Sequence, residues 1–190
     1  MKVAITTKFG DKGKTTILFG HVVDKSDPLL DVAGTVDELN ANIGVARASV
    51  IAPGLKQELL HIQHKLFIIG AEVATRAEDI KKLKKTISQE EITEIEIELS
   101  KLEEYNNIDN WFIPGESLSS ALIEKARTIA RRLERRLVQR DHYNEHTKIY
   151  LNRLSDYLWL LAQKEEYYLK GIEKKSPEPI QISKQQTILS

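Results

Sequence analysis

The chain has 190 residues, of which 41% are hydrophobic, and this length and composition suit one globular domain with a buried core. Its 28 lysine and arginine residues balance 28 aspartate and glutamate residues, which argues against nucleic acid or a membrane as the partner. The chain has no cysteine, so disulfides, thiolate metal sites and cysteine nucleophiles are excluded. With neither a leader peptide nor a membrane-length apolar run, we expect a cytoplasmic protein.

A segment rich in glycine, lysine and threonine opens the chain, reading Thr7-Lys8-Phe9-Gly10-Asp11-Lys12-Gly13-Lys14-Thr15-Thr16. Glycines let backbone N–H groups approach an anion, lysines supply charge, and hydroxyls donate to phosphate oxygens. The segment is not a P-loop, because Lys8 stands where that motif needs its first glycine and no alternating strand and helix pattern follows. ATP is the first candidate ligand, and a flexible basic terminus is the alternative.

Helical periodicity begins only after the leader, which we define as residues 1–30 and predict as loop with a short extended piece at 3–6. Thr35 and Glu38 have the spacing of a capping box and predict the start of a first helix. Pro53 suits the first turn of a second helix. The apolar repeats of these two helices are Val36, Leu39, Ile43, Ala46 and Val50, then Leu55, Leu59, Ile62, Leu66, Ile69 and Val73.

Three further helices are predicted. Ser88 and Glu91 form another capping box, Pro114-Gly115 breaks the pattern, and Asn144 suits the cap of a last helix that runs to about Gly171. The apolar repeats are Ile92, Ile95, Leu99 and Leu102, then Leu122, Ala126, Ile129, Leu133 and Leu137, then Tyr150, Leu154, Leu158 and Leu161.

Short connections between helices favour an antiparallel arrangement, so we predict an all-α fold, an antiparallel five-helix bundle. The leader at 1–30 belongs to the same single domain as the bundle at 31–175. The polar tail at 176–190 contains two prolines and is expected to be poorly ordered.

Polar residues interrupt the apolar seams of the last two helices. Arg127, Arg131 and Glu134 share one face of the fourth helix, and Arg135 adjoins it. Aligned guanidinium groups can fork onto phosphates, although a solvated charged face has the same pattern. In the fifth helix, Asn152 lies one turn from Asp156 within an apolar sequence, where it either bonds across the bundle or binds a ligand.

Two histidine pairs have spacings that could place both rings on one helix face: His61 with His64, and His142 with His146. The sequence places no third ligand beside either pair, so we assign no metal ligand among them.

Five segments of the chain, in order, resemble the ATP-dependent corrinoid (cobalamin) adenosyltransferases of the propanediol-utilisation type. They span nearly the whole chain. The segments are Thr7 to Gly13, Gly34-Thr35-Val36-Asp37-Glu38-Leu39-Asn40, Leu66-Phe67-Ile68-Ile69-Gly70-Ala71-Glu72, Ala126 to Arg136, and Tyr150 to Asp156.

The resemblance implies a ferritin-like five-helix bundle, a homotrimer with its active site between subunits. There cobalt(I) of reduced cobalamin attacks the ribose 5′-carbon of ATP, giving adenosylcobalamin and triphosphate, with Mg²⁺ assisting. The nucleotide contacts that the resemblance implies are Thr7, Lys8, Phe9 through its backbone, Gly10, Thr15, Thr16, Lys25, Arg131, Arg132, Glu134, Arg135 and Asn152, with Lys12 adding charge.

Three residues take catalytic roles by the same resemblance. Arg127 would contact ATP and pair with Asp37 of the partner subunit, and Phe112 would exclude water and the lower ligand from cobalt. A corrinoid reductase and an adenosylcobalamin-dependent enzyme are the implied protein partners. The alternative function is a non-catalytic trimeric carrier or sensor that binds ATP or a corrinoid, and a purely structural bundle is a second alternative.

Overall fold

The computed structural model of the chain describes residues 8–106, 113–139 and 143–171, in which a short hairpin precedes five α-helices. Thr7, Phe112, His142, the predicted extended piece at 3–6 and the tail at 176–190 lie outside the described residues. The strands are β1 (Lys14–Thr16) and β2 (Val22–Asp24), and the helices are α1 (Pro28–Ser49), α2 (Leu55–Val73), α3 (Gln89–Tyr105), α4 (Leu118–Val138) and α5 (Glu145–Leu169). Within these described segments, no helix has both the length and the apolar character that crossing a bilayer requires.

The five helices enclose one hydrophobic core, and the predicted bundle is confirmed. Every residue of the predicted apolar repeats is buried except Leu122, which is half-buried against the core. Successive helices alternate in direction: α1 packs against α2 and α4, and α5 packs against α4 and α3. Removal of these aliphatic side chains from water is the main source of stability, because each fully buried one contributes about 1.5–3 kcal/mol before the entropy cost of folding.

Local capping sets the beginnings of α3 and α5, as predicted. The Ser88 backbone N–H donates to Glu91 Oε2 at 3.0 Å, and the Ser88 hydroxyl oxygen accepts within the first turn, which completes the capping box. Asn144 Oδ1 accepts from the His146 N–H at 3.1 Å, while Asn144 Nδ2 donates to the Ile87 carbonyl at 2.7 Å. The Asn144 side chain therefore caps α5 and also ties the start of this helix to the segment that precedes α3.

The predicted start of the first helix is wrong. Helix α1 begins at Pro28, inside the predicted leader, and Asp27 Oδ1 caps it by accepting from the Leu29 N–H at 2.8 Å. Thr35 lies within the helix and donates to the Asp31 carbonyl at 2.7 Å, so its spacing to Glu38 is not a capping box. An Asp cap followed by proline is a stronger start signal, because proline has the helical φ already set and no N–H to satisfy.

Two further boundaries differ from the predictions. Pro53 precedes α2, because Gly54 in the left-handed region (φ 79) forms the turn and the helix starts at Leu55. Residues 14–24 form the β1–β2 hairpin rather than loop, with Thr15 opposite Val23. Strands of three residues are too short for a periodic signal. Burial of Ile17 and Val23 holds the hairpin in place.

A buried carboxylate joins three helices at one end of the bundle. Glu72, near the end of α2, accepts hydrogen bonds from the Ile87 N–H at 2.5 Å, from Asn144 Nδ2 at 3.2 Å and from the Thr147 hydroxyl of α5. Burial raises the pKa of Glu72 above the ordinary value of 4.5, and the three hydrogen bonds oppose that rise. This end of the bundle therefore depends on one ionisable side chain.

Glu72→Gln should change how stability depends on pH. Because the pKa of Glu72 is raised in the folded chain, its contribution to the free energy of unfolding is complete below pH 4.5 and is lost as the pH rises through the raised pKa. Glutamine imitates the protonated acid and does not titrate. The free energy of unfolding of the variant should therefore increase relative to that of the parent chain when the pH is raised from 4.5 to about 7. Urea unfolding at both pH values measures this. The exposed Glu104→Gln is the control, and a parent-to-variant difference that does not vary with pH contradicts the expectation.

Candidate functional site

One end of the bundle collects most of the predicted site residues. The Leu18 N–H donates to the Ala74 carbonyl at 3.3 Å, which places the hairpin at the end of α2. Arg136, near the end of α4, donates to the Thr35 hydroxyl of α1, and Thr147, near the start of α5, bonds to Glu72. The leader, the start of α1, the end of α4 and the start of α5 therefore share this end.

The leader folds so that Lys25 reaches back to the opening motif. The Lys25 N–H donates to the Gly13 carbonyl at 2.8 Å, and a Cβ placed on Gly10 would lie only 2.9 Å from Lys25 Nζ. The Lys25 ammonium therefore lies close against Gly10, and Gly13 is needed for its left-handed conformation (φ 76). Lys8, Lys12 and Lys25 are exposed and make no ion pair within the described residues. Thr15 and Thr16 lie on β1 between these lysines.

A second contact anchors the hairpin to the short 3-10 helix Ala77–Lys82. His21 Nε2 lies 2.5 Å from Asp79 Oδ2, and Lys82 Nζ lies 2.6 Å from Asp79 Oδ1. Lys82 Nζ also lies 5.5 Å from the centre of the Phe19 ring, and Phe19 adopts the left-handed conformation (φ 61) that side-chain-bearing residues rarely adopt. Hydrogen bonds from Lys82 and then His21 lower the pKa of Asp79, so it stays ionised. We name this cluster the hairpin anchor.

The arginines of α4 divide into two groups. Arg132 forms an ion pair with Glu38 and Arg136 with Asp31 at 3.1 Å, so one row of guanidinium groups binds α4 to α1. Arg131 and Arg135, one turn apart on α4, are exposed and make no ion pair within the described part of the chain. Their guanidinium groups therefore have no partner on α1, unlike those of Arg132 and Arg136.

Arg127 lies one turn before Arg131 on α4, and a carboxylate of the preceding turn binds its guanidinium group. Its Nε donates to Glu124 Oε2 at 2.9 Å, and Glu124 is only 4% exposed. Burial raises the pKa of Glu124, and the Arg127 guanidinium opposes the rise. Asp37 is exposed on α1 and has no ion-pair partner among the described residues. Arg127 and Asp37 therefore do not pair within one chain.

Asn152 and Asp156 are exposed on α5, although their surrounding sequence is apolar. Asn152 Nδ2 donates to Glu134 Oε1 of α4 at 3.0 Å, and Asn152 Oδ1 accepts from Arg153 Nη1 at 3.0 Å. The bond to Glu134 crosses between helices, which was one of the two roles considered for Asn152. The exposed position leaves its amide accessible to a ligand as well.

An open groove of about 450 Å³ runs between α3 and α5. Leu99 and Leu160 form its apolar part with the half-buried Trp159, and charged side chains line the remainder. The lining residues are Glu96, Leu99, Ser100, Glu103, Arg153, Asp156, Trp159 and Leu160. The sequence analysis missed this groove. Trp159, one of only two tryptophans in the sequence, was the available signal.

The groove runs from the polar end of the bundle toward the end of α3. Arg153, which follows Asn152 in the chain, lines the groove together with its ion-pair partner Glu96. Toward its other end, Asn106 Nδ2 donates to the Leu160 carbonyl at 3.0 Å, and residues 107–112 follow directly.

Of the two histidine pairs, only His61 and His64 lie wholly within the described residues. His61 Nε2 lies 3.1 Å from Glu94 Oε1 between α2 and α3, and this contact, with the neighbouring Lys65, lowers the pKa of Glu94 to about 2. Over the ranges that the structure describes, no group of three histidine or carboxylate residues could hold a metal ion.

These features define an all-α protein with a basic, glycine-containing leader and open arginines at one end of a five-helix bundle, beside a wide groove. Residues 5–165 match the family model described as cobalamin adenosyltransferase. The chain belongs to this family.

Named relatives agree with the family. The chain is 37% identical over 166 residues to a corrinoid adenosyltransferase of Citrobacter freundii, covering 85% of this chain and 94% of the relative. It is 39% identical over 166 residues to the corrinoid adenosyltransferase of Bacillus subtilis, covering 83% of each. Among solved structures, a variant PduO-type ATP:corrinoid adenosyltransferase from Lactobacillus reuteri complexed with cobalamin and ATP superposes with a TM-score of 0.81 at 32% identity, covering 88% of this chain and 93% of that one.

Removal of the Asp79 charge should release the hairpin without unfolding the bundle. Asp79→Asn weakens both contacts of the hairpin anchor, so amide hydrogen exchange at 14–24 should accelerate about fivefold, the effect of losing one typical hydrogen bond. Exchange in α1 to α5 should stay at the parent rate. Asp24→Asn, which removes only the exposed Lys14 pair at 3.3 Å, is the matched control. Equal exchange in the two variants would show that the anchor does not hold the hairpin.

Proposed function

We propose that this corrinoid adenosyltransferase binds ATP between its leader and the open arginines of α4, and takes the corrin in the groove between α3 and α5. The enzyme transfers the adenosyl group of ATP to cobalamin. The observation that carries the proposed site is the division of the α4 arginines, which leaves Arg131 and Arg135 without an ion pair in the described chain. Unpaired cations at the leader's end of the bundle suit a triphosphate.

The proposed nucleotide contacts are those that the sequence predicts. Lys8, Lys12 and Lys25 supply charge from the leader, while the Asn152 amide and the Glu134 carboxylate offer a donor and an acceptor to the nucleoside. Arg132 would act from its ion pair with Glu38, which fixes its direction. The remaining proposed contacts are Thr7, Phe9, Gly10, Thr15 and Thr16.

The site is proposed to lie between subunits, as the family resemblance implies. Within the described residues, the leader makes no hydrogen bond or ion pair with α4, so the leader of one subunit could serve the arginines of another. Arg127 uses only its Nε on Glu124, which leaves its terminal nitrogens for a ligand and for Asp37 of the partner subunit. We therefore propose a homotrimer with the nucleotide at its interface.

The corrin suits the groove by its chemistry. The half-buried Trp159 offers an apolar surface to the macrocycle, and the carboxylates of Glu96, Glu103 and Asp156 can accept from the amide groups at the corrin periphery. Phe112, which we propose as the residue facing cobalt, belongs to the segment that begins beside Leu160. Among the described residues, the groove extends from Arg153, next to the proposed nucleotide contact, to Leu160 and Glu103.

The reaction needs alignment and charge stabilisation more than proton transfer. Cobalt(I) donates its electron pair to the ribose 5′-carbon, the cobalt–carbon bond forms, and the carbon–oxygen bond breaks with its electrons passing to triphosphate. Fixed alignment of the two centres contributes up to about 7–11 kcal/mol. The lysines of the leader and the guanidinium groups of Arg127 and Arg131 stabilise the charge that grows on triphosphate.

Mg²⁺ is proposed to arrive with the nucleotide. Triphosphate oxygens are its usual ligands, and the Thr15 and Thr16 hydroxyls are neutral oxygen donors of the leader motif that could join them. When bound, the ion would neutralise part of the phosphate charge. A corrinoid reductase and an adenosylcobalamin-dependent enzyme are proposed partners, and the cytoplasmic location stays a prediction from composition.

Arg131→Ala should weaken turnover strongly. The loss of charge-assisted hydrogen bonds to phosphate costs about 1.5–3 kcal/mol, so kcat/KM for ATP should fall about 10- to 150-fold. An anaerobic assay with ATP and chemically reduced cobalamin, read as the light-sensitive cobalt–carbon product, measures this. Lys125→Ala removes an exposed cation from another face of α4 and is the control. Parent-like kinetics for Arg131→Ala would remove this residue from the site.

Asp37→Ala should weaken the assembly. If the Asp37 carboxylate pairs with Arg127 of the partner subunit, its loss should lower both the oligomer mass at micromolar concentration and the turnover rate. Light scattering and the same anaerobic assay provide the two measurements. Glu38→Ala is the matched control for mass, since that carboxylate pairs with Arg132 inside the chain. A variant with the parent's mass and the parent's rate would refute the intersubunit pair.

A further inference from the structure

A continuous chain of hydrogen bonds crosses three helices between the proposed nucleotide site and the groove. Asn152 Nδ2 of α5 donates to Glu134 Oε1 of α4 at 3.0 Å, and Arg153 Nη1 donates to Asn152 Oδ1 at 3.0 Å. Arg153 Nε then donates to Glu96 Oε1 of α3 at 3.1 Å. Asn152 is thus bound at both ends of its amide, by an acceptor on one side and a donor on the other.

These partners determine which way the Asn152 amide points. In the opposite orientation its oxygen would face the Glu134 carboxylate and its NH₂ would face the Arg153 guanidinium, so both contacts would become repulsive. An exposed asparagine without such partners rotates freely about its terminal bond. Arg153 therefore adds a second contact that favours the same orientation as Glu134 does.

Arg153 acts from the groove side of α5. Successive residues of a helix point about 100° apart, so the Arg153 side chain extends toward α3 while Asn152 extends toward α4. Glu96 holds the guanidinium through Nε, which leaves Nη1 aimed at Asn152. The fork geometry of arginine lets one side chain make both contacts at once, and lysine has only a single nitrogen for them.

We propose that Arg153 is a positioning residue for the adenosyl transfer, which fixes the Asn152 amide in the orientation that the nucleotide requires. The inference rests on the proposed assignment of Asn152 to the nucleotide site. It carries a specific consequence: the affinity for ATP depends on a side chain that lines the groove, even when no corrin is bound. The same hydrogen bonds connect the two substrate sites physically.

The test measures ATP binding to the full chain by calorimetry, without any corrinoid. The variants are Arg153→Met, which keeps the aliphatic stem, Asn152→Ala, and the double variant. Arg153→Met should raise the Kd for ATP about fivefold, as expected for one hydrogen bond, and should add nothing in the Asn152→Ala background. Arg153→Lys should restore part of the loss. Lys101→Met, which removes an exposed pair with Glu98 on α3, should bind ATP as the parent does.

The outcomes separate this inference from the proposed function. If Asn152→Ala weakens ATP binding but Arg153→Met does not, the positioning role is overturned and the nucleotide assignment stands. If Asn152→Ala leaves the Kd unchanged, the assignment of Asn152 is overturned and the inference with it. If Arg153→Met raises the Kd for ATP equally in the parent chain and in the Asn152→Ala variant, Arg153 acts independently of Asn152, which also overturns the positioning role. As a control for folding, the midpoint temperature of thermal unfolding is measured for each variant. A midpoint equal to that of the parent would show that a change in the Kd does not come from loss of fold.

Discussion

Ion pairing between α1 and α4 is the constraint on which the proposed site depends. Helix α4 has five arginines within ten residues, and an arginine already paired to a carboxylate is less available to phosphate. The pairs of Arg132 with Glu38 and of Arg136 with Asp31 run in opposite order along the two helices, so they also fix the antiparallel register of α4 against α1. Exposed pairs contribute little to stability individually. Their larger effect is to decide which guanidinium groups remain open.

In the leader, as in α4, the residues that hold the segment against the bundle differ from those that are proposed to bind the ligand. Asp79 is buried, and its contact with His21 holds the hairpin against the bundle, while Lys82 pairs with Asp79 within the same 3-10 helix. The exposed lysines lie on the other part of the leader, where Lys25 folds against Gly10. The exposed lysines of the leader, whose like charges repel one another, thus lie on a segment that contacts with the bundle hold in place. Such an arrangement prepares an anion site before the anion arrives, which lowers the ordering cost of binding.

Polar groups that connect helices occur at both proposed substrate sites. Glu72 ties α2 to α5 at the end that contains the leader, and Asn152 ties α5 to α4 beside the open arginines. Arg153 and Glu96 extend that contact to the groove. Because the chemistry relies on a strong nucleophile already present in the corrin, the protein contributes mainly fixed distances and fixed charges. A rigid bundle with polar cross-links suits that task.

The sequence by itself determined the number of helices, their buried faces, the caps at Ser88 and Asn144, and the family. These features are local, since helix periodicity and capping involve residues within a few positions of one another. The start of α1 is local as well, since Asp27 followed by Pro28 signals it in the sequence. Only the tertiary structure decided where the hairpin packs, which arginines stay open, and that a groove passes Trp159. Each of these depends on pairing between segments far apart in the chain, such as Arg136 with Asp31 or His21 with Asp79, and no local pattern specifies such pairs.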